Sequence, residues 1–383
     1  MSRRSMPVFV LSSPRTYAVL LTFLAMLMPG SALAEDRTIK TEAGEIKVET
    51  VAEGIANPWG LAFLPDGRML VTEKRGQLRF VDKNGKKSKA ITGLPKIASG
   101  GQGGLLDVVL DPKFDENQLI YFSYSEAGEG GRGTAVARAR LGETSLEDVQ
   151  VIFRQLPKVS GDLHFGSRLA FTPDGKLFVT LGDRFKFDPA QDLGSHIGKI
   201  VRINPDGSVP EDNPFVSQKD ALPEIWSLGH RNAQGAAIHP ETGKLWENEY
   251  GPLGGDELNV PAAGANYGWP EVSWGRHYSG TNIPNPPTRP EFADAIHHWT
   301  PVISPSGMTF YTGDAIPAWK GNLLIGGLSS QGIVRLTLDG EKVVGEERIP
   351  MEARIRDVRQ GPDGAVYALD ESNDQILRLT LEQ

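Results

Sequence analysis

Five short stretches of this chain carry side chains able to do chemistry on a backbone that glycine leaves open. Ser99-Gly-Gly-Gln102-Gly-Gly offers an amide where a ligand can approach the main chain closely. Asp162-Leu-His164-Phe-Gly-Ser-Arg168 and Leu228-Gly-His230-Arg231-Asn232-Ala-Gln-Gly each place a histidine just ahead of a short strand. Glu249-Tyr-Gly251-Pro252-Leu-Gly-Gly-Asp256-Glu257 joins acids to exposed glycine backbone, and Arg354-Ile-Arg356-Asp-Val sets two arginines on one side of a strand. A neutral imidazole with an ordinary pKa of about 6.5 accepts a proton near neutrality. Guanidinium groups grip carboxylates through paired, charge-assisted hydrogen bonds. Carboxylates and main-chain carbonyls are the donors that a hard cation such as calcium takes. Taken singly these signals are weak. A histidine or arginine at a strand end is more often a satisfied structural residue, and Asp256-Glu257 also reads as a solvated acidic loop.

One apparent motif is excluded. Gly128-Glu-Gly130-Gly-Arg-Gly133 spells the dinucleotide fingerprint, which needs a helix directly behind it to hold the pyrophosphate. Thr134-Ala-Val-Ala-Arg-Ala-Arg-Leu alternates like a strand instead, so the glycines are expected to form a hairpin loop.

The elements that must position these residues repeat. Six times a short apolar strand runs into a Pro/Asp/Gly turn and out into a second strand. The copies begin at Phe63, Leu110, Phe171, Ile238, Phe310 and Gln360, spaced about 47 to 72 residues apart, with the fifth degenerate. Proline presets φ at the first turn position, and aspartate and glycine accept the bends that follow. Alternating stretches such as Gln77-Leu-Arg-Phe-Val and Gln375-Ile-Leu-Arg-Leu add further half-buried strands. A single unit cannot bury both its faces, so the units must stack, and closing six into a ring removes exposed edges. The pattern predicts an all-β, six-bladed β-propeller of four-stranded antiparallel blades, the segment near Glu45 to Val51 completing the last one. An open β-sandwich does not explain six copies of one turn. Each chemistry-bearing stretch precedes or follows an innermost strand, so a propeller brings them to one channel mouth. The Pro-rich stretch from Ile283 to Pro290 reads as a loop over that face.

Composition sets the surroundings. Arg3, Arg4 and Arg15, an apolar run from Tyr17 to Met28 and Ala32-Leu33-Ala34 are the parts of a secretory signal peptide, with cleavage expected after Ala34. The apolar run is shorter than the roughly 20 residues a bilayer span needs, which disfavours a membrane anchor. Residues 35–383 then form one domain, periplasmic or secreted, without a membrane span. Removing three arginines and no acids takes the formal charge from −8 to −11, which disfavours nucleic acid as a partner. There is no cysteine, so packing, with or without bound ions, must hold the fold.

Gly-His-Arg-Asn-x-Gln-Gly at 229–235, Glu-Tyr-Gly-Pro-x-Gly-Gly-Asp-Glu at 249–257, Asn-Tyr-Gly-Trp-Pro at 266–270 and Arg-Ile-Arg-Asp-Val at 354–358 together resemble the aldose sugar dehydrogenases that depend on pyrroloquinoline quinone (PQQ), relatives of soluble glucose dehydrogenase in the glucose/sorbosone dehydrogenase family. The resemblance runs from about Asn57 to the C-terminus. It implies oxidation of the C1 hydroxyl of an aldose to a lactone by hydride transfer to PQQ, with an external electron acceptor, in a monomer or dimer. It implies that Arg231, Arg354 and Arg356 hold the tricarboxylate quinone with Gln102, Asn232 and Tyr278, and that His164 is the general base. It places the Gly251 and Pro252 carbonyls at one calcium, and Glu257 and the Tyr267 carbonyl at a second, structural one. The loop from Tyr278 to Trp299 is expected to cover the sugar. This chain departs from the family at Ser329, near which a lysine often meets the cofactor. Two other functions compete. A calcium-dependent lactonase needs carboxylates and amides aimed at a central ion and has no use for an arginine cluster. A non-catalytic sugar-binding or interaction propeller has no use for His164 with Gln102.

Overall fold

In the computed structural model, which describes residues 37–283 and 287–382, the repeated turn joins the innermost strand of each blade to the second. Gly67 and Gly175 show why the turn is spelled as it is. At φ +85° and +80° they occupy the left-handed region, and their N–H groups close the turns on the carbonyls of Leu64 and Thr172.

Six antiparallel sheets follow one another along the chain, and the innermost strand of each touches that of the next, the sixth returning to the first. These strands are Pro58–Phe63, Leu105–Leu110, Leu169–Phe171, Ala233–Ile238, Pro305–Phe310 and Ile355–Gln360. The ring is closed by Gly44–Glu53, which pairs with Gln375–Leu381 from the other end of the chain, as the alternation near Glu45 predicts. Six apolar clusters hold the ring, one between each pair of neighbouring blades. Leu105, Phe122 and Leu78 meet between the first and second, and Val358, Leu324 and Trp319 between the fifth and sixth. The predicted propeller is therefore observed.

Two blades depart from four strands. Beyond Gln77–Val81 in the first blade, Ser88 donates its N–H to the Phe80 carbonyl and accepts the Phe80 N–H on its hydroxyl. The outer edge is thus paired through a side chain rather than a regular ladder. The sixth blade gains a fifth strand, Arg37–Thr41, which hairpins back on Gly44–Glu53. The glycines at 128–133 form the tight hairpin between Leu119–Gly128 and Gly131–Leu141, as expected. The proposed signal peptide lies outside the described residues, as does part of the Pro-rich stretch, although Ile283 packs against Trp269. Among the described residues no helix is long and apolar enough to cross a membrane.

Candidate functional site

Because the repeated turns lie at one end of the innermost strands, the segments leading into those strands gather at the other. A cavity of about 330 Å³ opens there, and every blade contributes to its wall. Gln102, His164, Tyr278, Arg354 and Arg356 line it, as do Lys74, Gln234 and Glu371, which the sequence reading did not single out. Among the described residues of the loop from Tyr278 to Trp299, Tyr278 lines the cavity, and it is 63% exposed.

His164 is buried, in a left-handed conformation at φ +50° that a non-glycine residue keeps only where its surroundings enforce it. Gln102 accepts the His164 N–H on Oε1 at 2.7 Å. Arg184 clamps the same loop, donating to the carbonyls of Leu163, Gly161 and Arg132 while stacking on Phe165. Nδ1 of His164 lies 2.6 Å from Oδ1 of Asp183, which is fully buried. Asp183 also accepts from the Phe185 N–H at 2.8 Å and from Trp269 Nε1 at 2.8 Å, so its carboxylate cannot turn away. An ionised Asp183 makes Nδ1 the donor and leaves Nε2 as the basic nitrogen. Burial lowers the His164 pKa below its ordinary value, outweighing the opposing pull of Asp183, so the ring is neutral at neutral pH. Asp183 is thus a positioning residue missed in the sequence, where Leu181-Gly182-Asp183 looks like any strand end.

The opposite wall is cationic. Arg356 is paired with Glu371 at 2.6–2.7 Å and donates to Gln234 Oε1 at 3.3 Å. Arg354 is exposed, and among the described residues its guanidinium makes no hydrogen bond. Leu328 and Ser304 form the blade-five side of the cavity. Ser329 beside them is exposed and bonds the Val302 carbonyl at 3.2 Å.

Arg231 and Asn232 stand one layer behind this wall. The Arg231 guanidinium donates to the carbonyls of Tyr250 at 2.9 Å and Gly251 at 2.8 Å and reaches the Tyr278 hydroxyl at 3.3 Å. Asn232 accepts the Gly166 N–H at 3.0 Å, fixing the turn behind His164. Arg231 Nε and Asn232 Nδ2 are buried donors without a hydrogen-bond partner among the described residues. Gly251 and Pro252 are both buried; Asp256 holds the Gly251 N–H at 2.9 Å and the N–H groups of Ile303 and Ser304 at 2.8 and 2.7 Å. Burial still raises the Asp256 pKa to about 6. Asp256 is therefore not a solvated acid.

Glu257 belongs to a buried cluster beside the cavity. The ladder between Leu245–Glu249 and Asp256–Asn259 sets Glu249 directly across from Glu257, and Glu247 across from Asn259. His230 lies against Glu249 at 3.2 Å and Glu247 at 3.6 Å, with its ring stacked on Tyr267. Burial alone would lower the His230 pKa, but the two carboxylates outweigh it and raise it to about 9. Burial and the Glu249 charge push Glu247 and Glu257 upward. One imidazolium does not balance three carboxylates. Among the described residues Glu247 Oε2 and Asn259 Oδ1 have no hydrogen-bond partner, and ligand atoms of His230, Glu247 and Glu249 fall within 4.8 Å of one another. Such oxygen donors suit a divalent cation. Glu247 and Glu249, two apart on one strand and so on one face, are a sequence signal that could have pointed to this cluster.

Known proteins similar to this chain include sugar dehydrogenases. Aldose sugar dehydrogenase YliI of Escherichia coli K12 is 43% identical over 346 residues, covering 88% of this chain and 93% of that protein. The crystal structure of the soluble aldose sugar dehydrogenase (Asd) from Escherichia coli in the apo-form matches with a TM-score of 0.85 at 41% identity, over 88% of this chain and all of that one. The PQQ-bound form of aldose sugar dehydrogenase from Streptomyces coelicolor matches with a TM-score of 0.74 at 29% identity, over 88% of this chain and 98% of that one. Residues 55–379 match the family described as Glucose / Sorbosone dehydrogenase. The chain belongs to the glucose/sorbosone dehydrogenase family.

Proposed function

We propose that this protein oxidises aldose sugars at the C1 hydroxyl to lactones, with PQQ as cofactor and calcium as metal. The observation that carries the reading is the His164–Asp183 pair on the wall of a cavity that Arg354 and Arg356 make cationic. A tricarboxylate suits that wall, where among the described residues the Arg354 guanidinium makes no hydrogen bond, and Arg231 and Asn232 would back the ligand from one layer behind, each with a buried donor that no described residue satisfies. When bound, the quinone supplies the two-electron acceptor that no amino-acid side chain here provides.

The side chains do the rest. His164 takes the sugar's C1 hydroxyl proton at Nε2, and Asp183 stabilises the imidazolium that forms. Gln102 fixes the His164 backbone and keeps its NH₂ for a hydroxyl or carbonyl partner. Tyr278 offers an exposed ring and a hydroxyl at the mouth. The carbonyls of Gly251 and Pro252 would hold one calcium. The Gly251 carbonyl is shared with Arg231, so the guanidinium and the ion compete for it or divide its two lone pairs. Glu257 and the Tyr267 carbonyl would hold the second, with Glu247 and Glu249 adding charge. That the carboxylates gather beside the cavity and not at its centre weighs against a lactonase. The N-terminal segment supports export to the periplasm or medium.

Reduction of an artificial electron-accepting dye by purified protein tests the reading. Aldoses are oxidised after PQQ and calcium are both added, and not with either alone. Full activity with NAD and no quinone overturns it.

A further inference from the structure

We propose that Lys74 is a cofactor-binding residue whose ammonium pairs with an anionic group of the quinone. This rests on the PQQ reading above and adds to it a contact from the first blade. Lys74 follows Met69–Glu73, the second strand of that blade, and lines the cavity with Gln102, His164, Arg354 and Arg356.

Its stem is directed by packing. The Lys74 N–H donates to the Asn57 carbonyl at 3.0 Å, and its own carbonyl accepts from Leu105 of the next blade at 2.9 Å. Gly104 lies so close that a Cβ there would stand 1.9 Å from the Lys74 carbonyl oxygen and 2.7 Å from its Cγ. A lysine held between two blades in this way does not wander like a surface lysine.

Among the described residues no hydrogen bond or ion pair holds its charge. The groups that act on it are Glu371, Arg354, Arg356 and Arg75, and Glu371 is already engaged by Arg356 at 2.6–2.7 Å. Three cations, Lys74, Arg354 and Arg356, thus share the cavity wall with Glu371, the one carboxylate among its described lining residues. That arrangement repels itself until an anion enters. The blade-five wall, Ser304 and Leu328, brings no charge to the cavity, so Lys74 is the lysine available to an acidic ligand there. Burial and the neighbouring arginines lower its pKa, and an anion entering beside it would favour the ammonium again.

Equilibrium titration of the calcium-loaded protein with PQQ, followed by quenching of tryptophan fluorescence, tests this without turnover. K74M is expected to weaken PQQ binding about ten- to hundredfold at low salt, the range for a lost charge-assisted hydrogen bond. Its affinity should also depend less on salt than that of the wild type. K74R should stay within about threefold of wild type, and K113M, on an exposed turn at the opposite end of its blade, should not differ. If K74M melts early, K74Q repeats the comparison with a polar tip. Equal affinity for wild type, K74M and K74Q overturns the inference while leaving the quinone reading intact. Failure of the wild type itself to bind PQQ overturns both.

Discussion

At the scale of single residues the proposed chemistry turns on one imidazole and the carboxylate behind it. His164→Ala is expected to lower kcat by roughly two to four orders of magnitude, the usual worth of a general base, with PQQ affinity little changed. A folded variant with near-full kcat would show that another group takes the proton. Asp183→Asn should be nearly as costly in kcat, because an amide facing Nδ1 favours the tautomer with the proton on Nε2. The pH profile carries a second signature. Burial lowers the His164 pKa, so as the proposed base it should stay neutral to a pH below its ordinary 6.5, and kcat/KM should fall only as the pH drops through that lowered value. Asp183 opposes the lowering, so in Asp183→Asn the acid limb should move further down; an upward move contradicts the assignment. His164 was legible in the sequence because it stands in a glycine-flanked segment just ahead of an innermost strand. Asp183 and Lys74 were not, since each ends a second strand where the sequence shows only a charged residue before a turn.

At the scale of elements the informative pair is the two strands Leu245–Glu249 and Asp256–Asn259. Like charges directly opposite on neighbouring strands destabilise a sheet, and here Glu249 faces Glu257 in a buried place. Calcium at about a hundred times its Kd would add about 2.7 kcal/mol. For roughly 350 residues at about 2.1 cal/mol/K each, that corresponds to a melting temperature higher by about 4 °C. Glu257→Gln should remove most of that gain and raise the melting temperature of the metal-free protein. Thermal scans with calcium and with a chelator check both, and a calcium effect unchanged in Glu257→Gln would place the ion elsewhere. The sequence showed Glu257 through its motif but not the cluster, because strand register, which alone puts Glu249 across from it, cannot be read from either strand by itself. The same applies to Arg231 and Asn232. Their motif marked the site, yet only the fold shows them supporting the Gly251 carbonyl and the turn behind His164.

At the scale of the molecule the ring was the most legible feature, since a turn repeated six times is a local signal that needs no knowledge of distant contacts. The departures from four strands, in the first and sixth blades, arise at the seam and at an outer edge where no repeat operates. What the repeat also hides is the hub. Arg168, fully buried in the channel, pairs with Asp107 at 3.1 Å and Asp357 at 3.3 Å. It donates to the carbonyls of Gln234 and Arg356 and stacks on Trp59, so it touches blades one, two, four and six from blade three. Arg168→Met would strand two buried carboxylates, a loss of about 3–5 kcal/mol. Spread over the same unfolding entropy, that is a melting temperature lower by about 4–7 °C; no change would mean that Arg359, which also reaches Asp107 and Asp357, suffices alone. The hub holds the floor of the cavity, and above it lies the central claim, that sugar is oxidised at C1 by a cavity whose base is His164. Single-turnover reaction of the PQQ- and calcium-loaded protein with an aldose deuterated at C1, followed by identification of the product, tests that claim most directly. The expected result is the lactone, formed more slowly than from the unlabelled sugar and far more slowly in His164→Ala. A product oxidised at another carbon, or a rate indifferent to the label in the chemical step, would contradict it.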